Sequence, residues 1–150
     1  GRFTYSNNGF EIFNITTNTK LYTSSNGYTL NEQDIFRCVK RFYDMHVFVL
    51  SNMDNTNHCI LILDEVFNVY DNIIIPKVNN QLTLYTAHWI DNVMIWKDTL
   101  TGFSYYDVKN KTEFYKTQHN FGGWLTQNIF IETSRIDANT LALSIITLIK

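Results

Sequence analysis

The sequence predicts an α+β domain that is mostly β, in which an antiparallel meander sheet wraps or packs over one α-helix at about 31–45. Three observations predict this fold class. Apolar residues recur at helical spacing in one segment only. About ten short runs that alternate apolar and polar residues surround that segment. Short polar turns separate these runs, which is typical of an antiparallel meander. The alternative is an all-β sandwich or a propeller fragment with the helix at its edge.

The first element is a hairpin. In GFEIFNITTNTKLYTSS, alternating apolar residues stand on both sides of a Thr-Thr-Asn-Thr loop. The pattern predicts two strands, at about Phe10–Ile15 and Lys20–Thr23.

The second element is the helix. Two start signals overlap, a capping box formed by Thr29 and Glu32 and a single cap at Asn31. Acidic residues near the start and basic residues near the end match the helix dipole. The apolar residues that define the helical spacing are Ile35, Val39, Phe42 and Met45.

The rest of the chain predicts strands. Turn residues separate the runs, with Asn79-Asn80, Asp91-Asn92 and Asn110-Lys111 as turn positions and Gly122-Gly123 as a break. The runs are HVFVLSN, HCILILD, EVFNVYD, NIIIPKV, QLTLYTA, VMIWKD, FSYYDV, TEFYKT, WLTQNIFIE and LALSIITLI.

The hairpin LYTAHWIDNVMIWKD, residues 84–98, allows a prediction of register. If Asp91-Asn92 is a two-residue turn, Trp89 pairs with Met94 and Ala87 pairs with Trp96. Both tryptophans then share one face with Tyr85, and an aliphatic face lies opposite. Either the aromatic face is core, or the aliphatic face covers the helix and the tryptophans line a groove.

Bulk properties exclude several functions. A length of 150 residues suits a single domain, residues 1–150, and a Gly-Arg start suggests a piece of a longer protein. The net charge is −2 without a basic tract, so we expect no nucleic-acid partner. The longest apolar run, near 72–78, is too short for a bilayer, so we expect no membrane insertion.

No catalytic or metal-binding pattern is present. None of the four histidines has a second ligand at helical spacing, and no nucleophile, phosphate or dinucleotide motif occurs. We therefore expect no enzyme, no metal and no cofactor. Cys38 and Cys59 are expected to be buried free thiols, although one disulfide stays possible.

Binding chemistry fits the composition better. An aromatic ring can stack on the C–H face of a sugar, while amide, carboxylate and phenol groups reach its hydroxyls. Tyr and Trp at a surface also suit protein partners. The candidate glycan-binding residues are Trp89, Trp96, Tyr85, Trp124, Tyr105 and Asn92.

The stretch LTLYTAHWIDNVMIWKDTLTGFSYYDVKNKTEFYKT, residues 82–117, resembles the tyrosine-rich, strand-rich part of rotavirus spike head domains. Such heads are released from the outer-capsid attachment protein. The resemblance implies attachment to host-cell glycans that contain galactose or N-acetyllactosamine, without catalysis or cofactor. It also implies a place at the tip of the virion spike, with the rest of the spike as a partner.

The predicted helix departs from this family. Group A heads are galectin-like β-sandwiches without a central helix, so the helix indicates a divergent, group B-like head. No site residue carries over from group A. Two other functions stay open, a viral protein–protein interaction or capsid structural module, and an enzyme whose site is assembled from distant residues.

Overall fold

The structure is a computed structural model that describes residues 2–6, 9–24, 28–29, 39–42, 44–52, 56–76, 82–85, 93–98, 102–126 and 128–147. Within these ranges the regular secondary structure is β throughout, with fifteen strands in four antiparallel sheets and no helix. The predicted α+β class is therefore wrong, and the all-β alternative fits.

The chain divides into two compact units, unit 1 (Gly1–Asn79) and unit 2 (Asn80–Lys150). Unit 1 contains sheet I, in the order β1-β2-β3, and sheet II, in the order β4-β6-β7-β8 with β5 also beside β6. Their bounds are β1 Arg2–Ser6, β2 Gly9–Asn14, β3 Thr19–Thr23, β4 Tyr28–Thr29, β5 Val39–Phe42, β6 Met45–Asn52, β7 Asn57–Leu63 and β8 Val69–Pro76.

Unit 2 also consists of two antiparallel sheets. It contains sheet III, in the order β12-β11-β10-β9, and sheet IV, in the order β13-β14-β15. Their bounds are β9 Leu82–Tyr85, β10 Val93–Asp98, β11 Gly102–Asp107, β12 Thr112–Thr117, β13 Asn120–Trp124, β14 Ile129–Asp137 and β15 Thr140–Thr147.

The predicted helix at 31–45 is contradicted where the structure describes it. Residues 39–42 form strand β5, which pairs antiparallel with β6 from Val39 opposite Phe48 to Phe42 opposite Met45. Thr29, a candidate cap, lies in β4 opposite Ser51. Cross-strand pairing with β6 outweighs a local helical pattern here, since tertiary context overrides propensity. Residues 30–38 lie outside the described residues.

Unit 1 has an aliphatic core. Strand β7 is buried on both faces from His58 to Leu63, as its nearly continuous apolar sequence requires. Sheet I packs onto sheet II through Phe10, whose ring centroid lies 5.5 Å from that of Phe48. The two sheets together enclose the core of this unit.

Unit 2 has an aromatic core. We call Tyr105, Tyr115, Phe121, Trp124 and Phe130 the ring cluster. The rings of Tyr105 on sheet III and Phe130 on sheet IV are stacked with centroids 4.9 Å apart. The cluster therefore joins the two sheets of this unit into a sandwich.

One turn design recurs in all four sheets. An Asn or Asp at the end of a strand, or directly after it, accepts hydrogen bonds from backbone N–H groups of the following turn, which is an Asx-type turn. Asp64, for example, accepts from the backbone N–H of Val66 at 3.0 Å and of Asn68 at 2.9 Å. The capping residues are Asn14, Asp64, Asp107 and Asp137.

The turn after Asp64 explains one wrong strand boundary. The run EVFNVYD was predicted as a strand, but its first part is this turn and β8 begins at Val69. Phe67 sits in the left-handed region with φ 65°, which a bulky side chain rarely adopts. Apolar residues in the turn give it the appearance of a strand in the sequence.

The predicted register of the 84–98 hairpin is also wrong. Trp96 pairs with Leu84, three residues before the predicted partner Ala87. The turn at Asp91-Asn92 lies outside the described residues, as does that at Asn79-Asn80. The turn near Asn110-Lys111 is confirmed between β11 and β12, and Lys111 has φ 56° there.

Candidate functional site

An aliphatic strip runs along the edge of sheet IV. Leu141, Leu143 and Ile145 alternate along β15 on one face of the sheet, with exposed fractions of 62 %, 61 % and 63 %. On the neighbouring strand their partners are Arg135, Thr133 and Ile131. Strand alternation places all three large side chains on the same side, because they are two residues apart. We call these three residues the aliphatic strip.

Strand β15 contains no charged residue, proline or glycine over its length Thr140–Thr147. In the described part of the chain, β14 is its only pairing partner. One edge of β15 therefore presents backbone N–H and C=O groups beside exposed aliphatic side chains. A sheet edge of this kind is a template for another strand.

The sequence contained a signal for this surface. In LALSIITLI, large aliphatic residues alternate with small ones at the start of the run. The pattern correctly predicts a strand, but a strand with apolar side chains on one face only is usually assumed to bury that face. Whether the alternating face is buried depends on tertiary packing, which local sequence does not encode.

The predicted glycan-binding rings occupy different environments. Trp96 lies inside β10, is 4 % exposed and has its ring centroid 5.6 Å from that of Tyr106. Tyr105 is fully buried at the centre of the ring cluster. Trp124 is half-buried, with its ring edge-on to Phe121 and Phe130 at 5.8 Å and 5.4 Å.

Of the other three candidates, the structure describes only the backbone of Tyr85. The backbone of Tyr85 lies in β9 opposite Ile95. Trp89 and Asn92 lie outside the described residues. The structure therefore brings Tyr105 and Trp124 into one cluster through Phe130, and it places that cluster in a core.

A carboxylate lies beside the ring cluster. Glu132 is buried, and the hydroxyl of Tyr115 donates a hydrogen bond to its Oε1 at 2.7 Å. Burial and then the charge of Glu132 raise the pKa of Tyr105. Burial and then the hydrogen bond to Glu132 raise the pKa of Tyr115. Both phenols therefore favour the protonated form, and that of Tyr115 acts as the donor to Glu132.

No known family's sequence profile matches this chain. A search of curated proteins likewise finds no match. The functional interpretation therefore rests on the geometry of the described residues.

Cys59 is a buried free thiol, as predicted, while Cys38 lies outside the described residues. Its Sγ donates a hydrogen bond to Oδ1 of Asn72 on β8. Burial, with a smaller contribution from the charge of Asp71, raises the pKa of Cys59 to about 12. The thiol is therefore neutral at physiological pH and a poor nucleophile, because the thiolate is the reactive form.

Among the described residues, no group of three or more His, Cys, Asp or Glu side chains is arranged to hold a metal ion. None of the secondary structure described here is a helix long and apolar enough to cross a membrane.

Proposed function

We propose that this chain is a non-catalytic protein-interaction module whose contact surface is the aliphatic strip and the adjoining edge of β15. The observation that carries the proposal is the alignment of three exposed aliphatic side chains on an uncharged edge strand. Full burial of one such side chain is worth about 1.5–3 kcal/mol. A partner that covers the strip removes these side chains from water, and this burial stabilises the complex.

The chemistry of the strip defines the partner class. Free backbone groups along the edge favour an extended segment that adds a strand to the sheet. The aliphatic strip favours apolar side chains at every second position of that segment, because they then project on the same face. The absence of charge on β15 gives no advantage to acidic or basic partners.

Burial of Trp96 and Tyr105 supports this proposal over glycan binding. A sugar stacks on an accessible ring face, and neither Trp96 nor Tyr105 offers one. Glycan attachment at Trp89, Asn92 or Tyr85 stays a prediction, as do the viral origin and the spike-tip location.

A displayed peptide library tests the proposal. We expect the wild-type chain, immobilised sparsely, to enrich peptides that alternate apolar residues. Leu143→Lys should lose at least about tenfold in affinity for them, since it puts a charge in the middle of the strip. Ile74→Lys, on the edge strand β8, is the matched control and should bind them like the wild type.

A glycan array run on the same samples separates the two functions. Glycan binding that Leu143→Lys leaves intact, together with no enriched peptide, would overturn the proposed function. Selected peptides that bind Leu143→Lys and the wild type equally would also contradict it, because the contact would then lie elsewhere.

A further inference from the structure

Edge strand β15 differs from the other edge strands of the described sheets. Natural sheets discourage unwanted pairing by placing charges, prolines, bulges or very short strands at their edges. The other edges here carry such features. They are charges in β1, β3, β5 and β12, a charge and a proline in β8, a bulge in β13, and lengths of two and four residues in β4 and β9.

The eight residues of β15 carry none of these features. At about 3.4 Å per residue the edge is roughly 27 Å long. It is therefore the longest edge among the described strands that lacks a charge, proline or bulge. This contrast with β8, which has the same length, indicates that the β15 edge is compatible with pairing.

The five central side chains of β15, from Leu141 to Ile145, are also arranged symmetrically about Leu143. Large aliphatic residues stand two positions to each side, Leu141 and Ile145, and small residues stand one position to each side, Ala142 and Ser144. An antiparallel copy of this strand, centred on the same residue, repeats the same order of large and small side chains. The edge is thus complementary to itself, as a two-fold interface requires.

We infer that the partner of β15 is β15 of a second copy of this chain, paired antiparallel about a two-fold axis at Leu143. This inference rests on the proposed function of the same surface. In this register Leu143 lies opposite Leu143 of the second copy, and Leu141 lies opposite Ile145. The two aliphatic strips join into one row of six side chains, and sheet IV continues across the axis as a six-stranded sheet.

The absence of charge on β15 matters for this choice of partner. A charged residue near the centre would face its own copy, and like charges directly opposite destabilise a strand pair. Arg135 is the charged strand partner of Leu141 in the strip, and its Nη1 donates to the backbone carbonyl of Ala138 at 3.2 Å. It lies on β14, one strand away from the proposed axis.

Disulfide trapping tests the register. In a Cys38→Ser background, Leu143→Cys should form a disulfide-linked dimer under mild oxidation, because directly opposed residues lie about 4.5–5.5 Å apart at Cα. Leu141→Cys is the matched control with nearly equal exposure. Its two copies would be about 14 Å apart, so it should give at least about tenfold less dimer. Leu141→Cys combined with Ile145→Cys should restore the dimer.

Charge exchange provides a second test that does not depend on oxidation. Light scattering over about 5–500 µM should show a wild-type species of twice the monomer mass. Leu143→Lys and Leu143→Glu should each be monomeric and should form a heterodimer when mixed, because position 143 faces itself. The same pair of substitutions at Ile74 should leave the wild-type dimer unchanged.

The outcomes separate this inference from the proposed function. A chain that stays monomeric throughout, while Leu143→Lys still abolishes peptide selection, overturns self-pairing and leaves the interaction surface in place. Loss of both results removes both proposals. Equal trapping of Leu141→Cys and Leu143→Cys, or a polydisperse aggregate in place of a dimer, also overturns the inferred register.

Discussion

The two units bury both faces of their central strands with different side chains. In unit 1, strands β6 and β7 are buried almost entirely through aliphatic residues, from Val47 to Leu50 and from Ile60 to Leu63. In unit 2, the corresponding role falls to the ring cluster, in which Tyr105 and Phe130 each contact several other rings. Unit 1 thus buries its central strands mainly with aliphatic side chains, besides the Phe10–Phe48 contact between its sheets, whereas unit 2 relies mainly on aromatic rings.

The difference has a consequence for polar groups. Aliphatic side chains bring no polar atom into a core, whereas Tyr and Trp each bring one that needs a partner. Tyr115 finds Glu132, but the hydroxyl of Tyr105 and Nε1 of Trp124 are buried without a hydrogen-bond partner in the described structure. We therefore expect the core of unit 2 to be more sensitive to single substitutions than that of unit 1.

The largest effect is expected for Phe130→Ala. This ring contacts four others, so its loss should leave a cavity and cost about 3–5 kcal/mol of unfolding free energy. Ile60→Val, in the core of unit 1, should cost only about 0.5–1.5 kcal/mol. Urea unfolding followed by circular dichroism, which reports on the strands of both units, measures both. Equal costs for the two variants would contradict the comparison.

Many of the strands could be predicted from the sequence, and particular elements show why. The alternating run LALSIITLI predicts β15, and FSYYDV with TEFYKT predicts the β11–β12 hairpin, because period-two patterns bounded by turn residues are typical of strands. The predicted helix failed because its spacing argument used Val39 and Phe42, which also fit a strand of four residues. A segment as short as VKRF is too short to establish a period, and pairing with β6 decides between helix and strand.

The candidate site was harder to predict from the sequence than the strands. Trp and Tyr indicate a ligand platform because their rings can stack on ligands, yet burial depends on what packs against them, and Trp96 and Tyr105 are core residues. The aliphatic strip is the opposite case, since Leu141 and its neighbours have the composition of a core but are exposed. In both cases the residue types are evident in the sequence, whereas their exposure depends on tertiary packing.

The next effect concerns the buried carboxylate of unit 2. Tyr115→Phe removes the hydroxyl that donates to Glu132 and leaves a buried carboxylate without that donor, at an expected cost of about 1–3 kcal/mol. Chemical denaturation at neutral pH measures it. Tyr115→Phe combined with Glu132→Gln should cost less than the sum of the two single variants, because the partners interact. Strict additivity would show that the hydrogen bond contributes nothing.

A smaller effect is expected in the turn of unit 1. Asp64→Ala removes the acceptor of two backbone hydrogen bonds, from Val66 and Asn68, and should cost about 1–2 kcal/mol. Glu65→Ala, at the next position, changes an exposed carboxylate and should stay within about 0.5 kcal/mol of the wild type. Thermal unfolding of both variants gives the comparison. If Glu65→Ala costs as much as Asp64→Ala, the effect comes from charge rather than from the turn.

The smallest effect is a pH dependence that distinguishes the thiol of unit 1 from the rings of unit 2. The pKa of Cys59 rises on folding from its ordinary value of 9.0 to about 12. Below pH 9 the thiol is neutral in both states, and its contribution to stability is fully present. Above pH 9 the unfolded thiol ionises first, which favours the unfolded state, so this contribution decreases as the pH rises towards 12.

At pH 10 we expect a loss of about 1 kcal/mol in the wild type that Cys59→Ala does not show. Paired urea titrations at pH 8 and pH 10 measure it, and because both chains share the same tyrosines and lysines, only the difference between them reports on Cys59. An equal loss in the two chains would mean that the folded thiol ionises as readily as the unfolded one, which its burial against Asn72 in sheet II argues against.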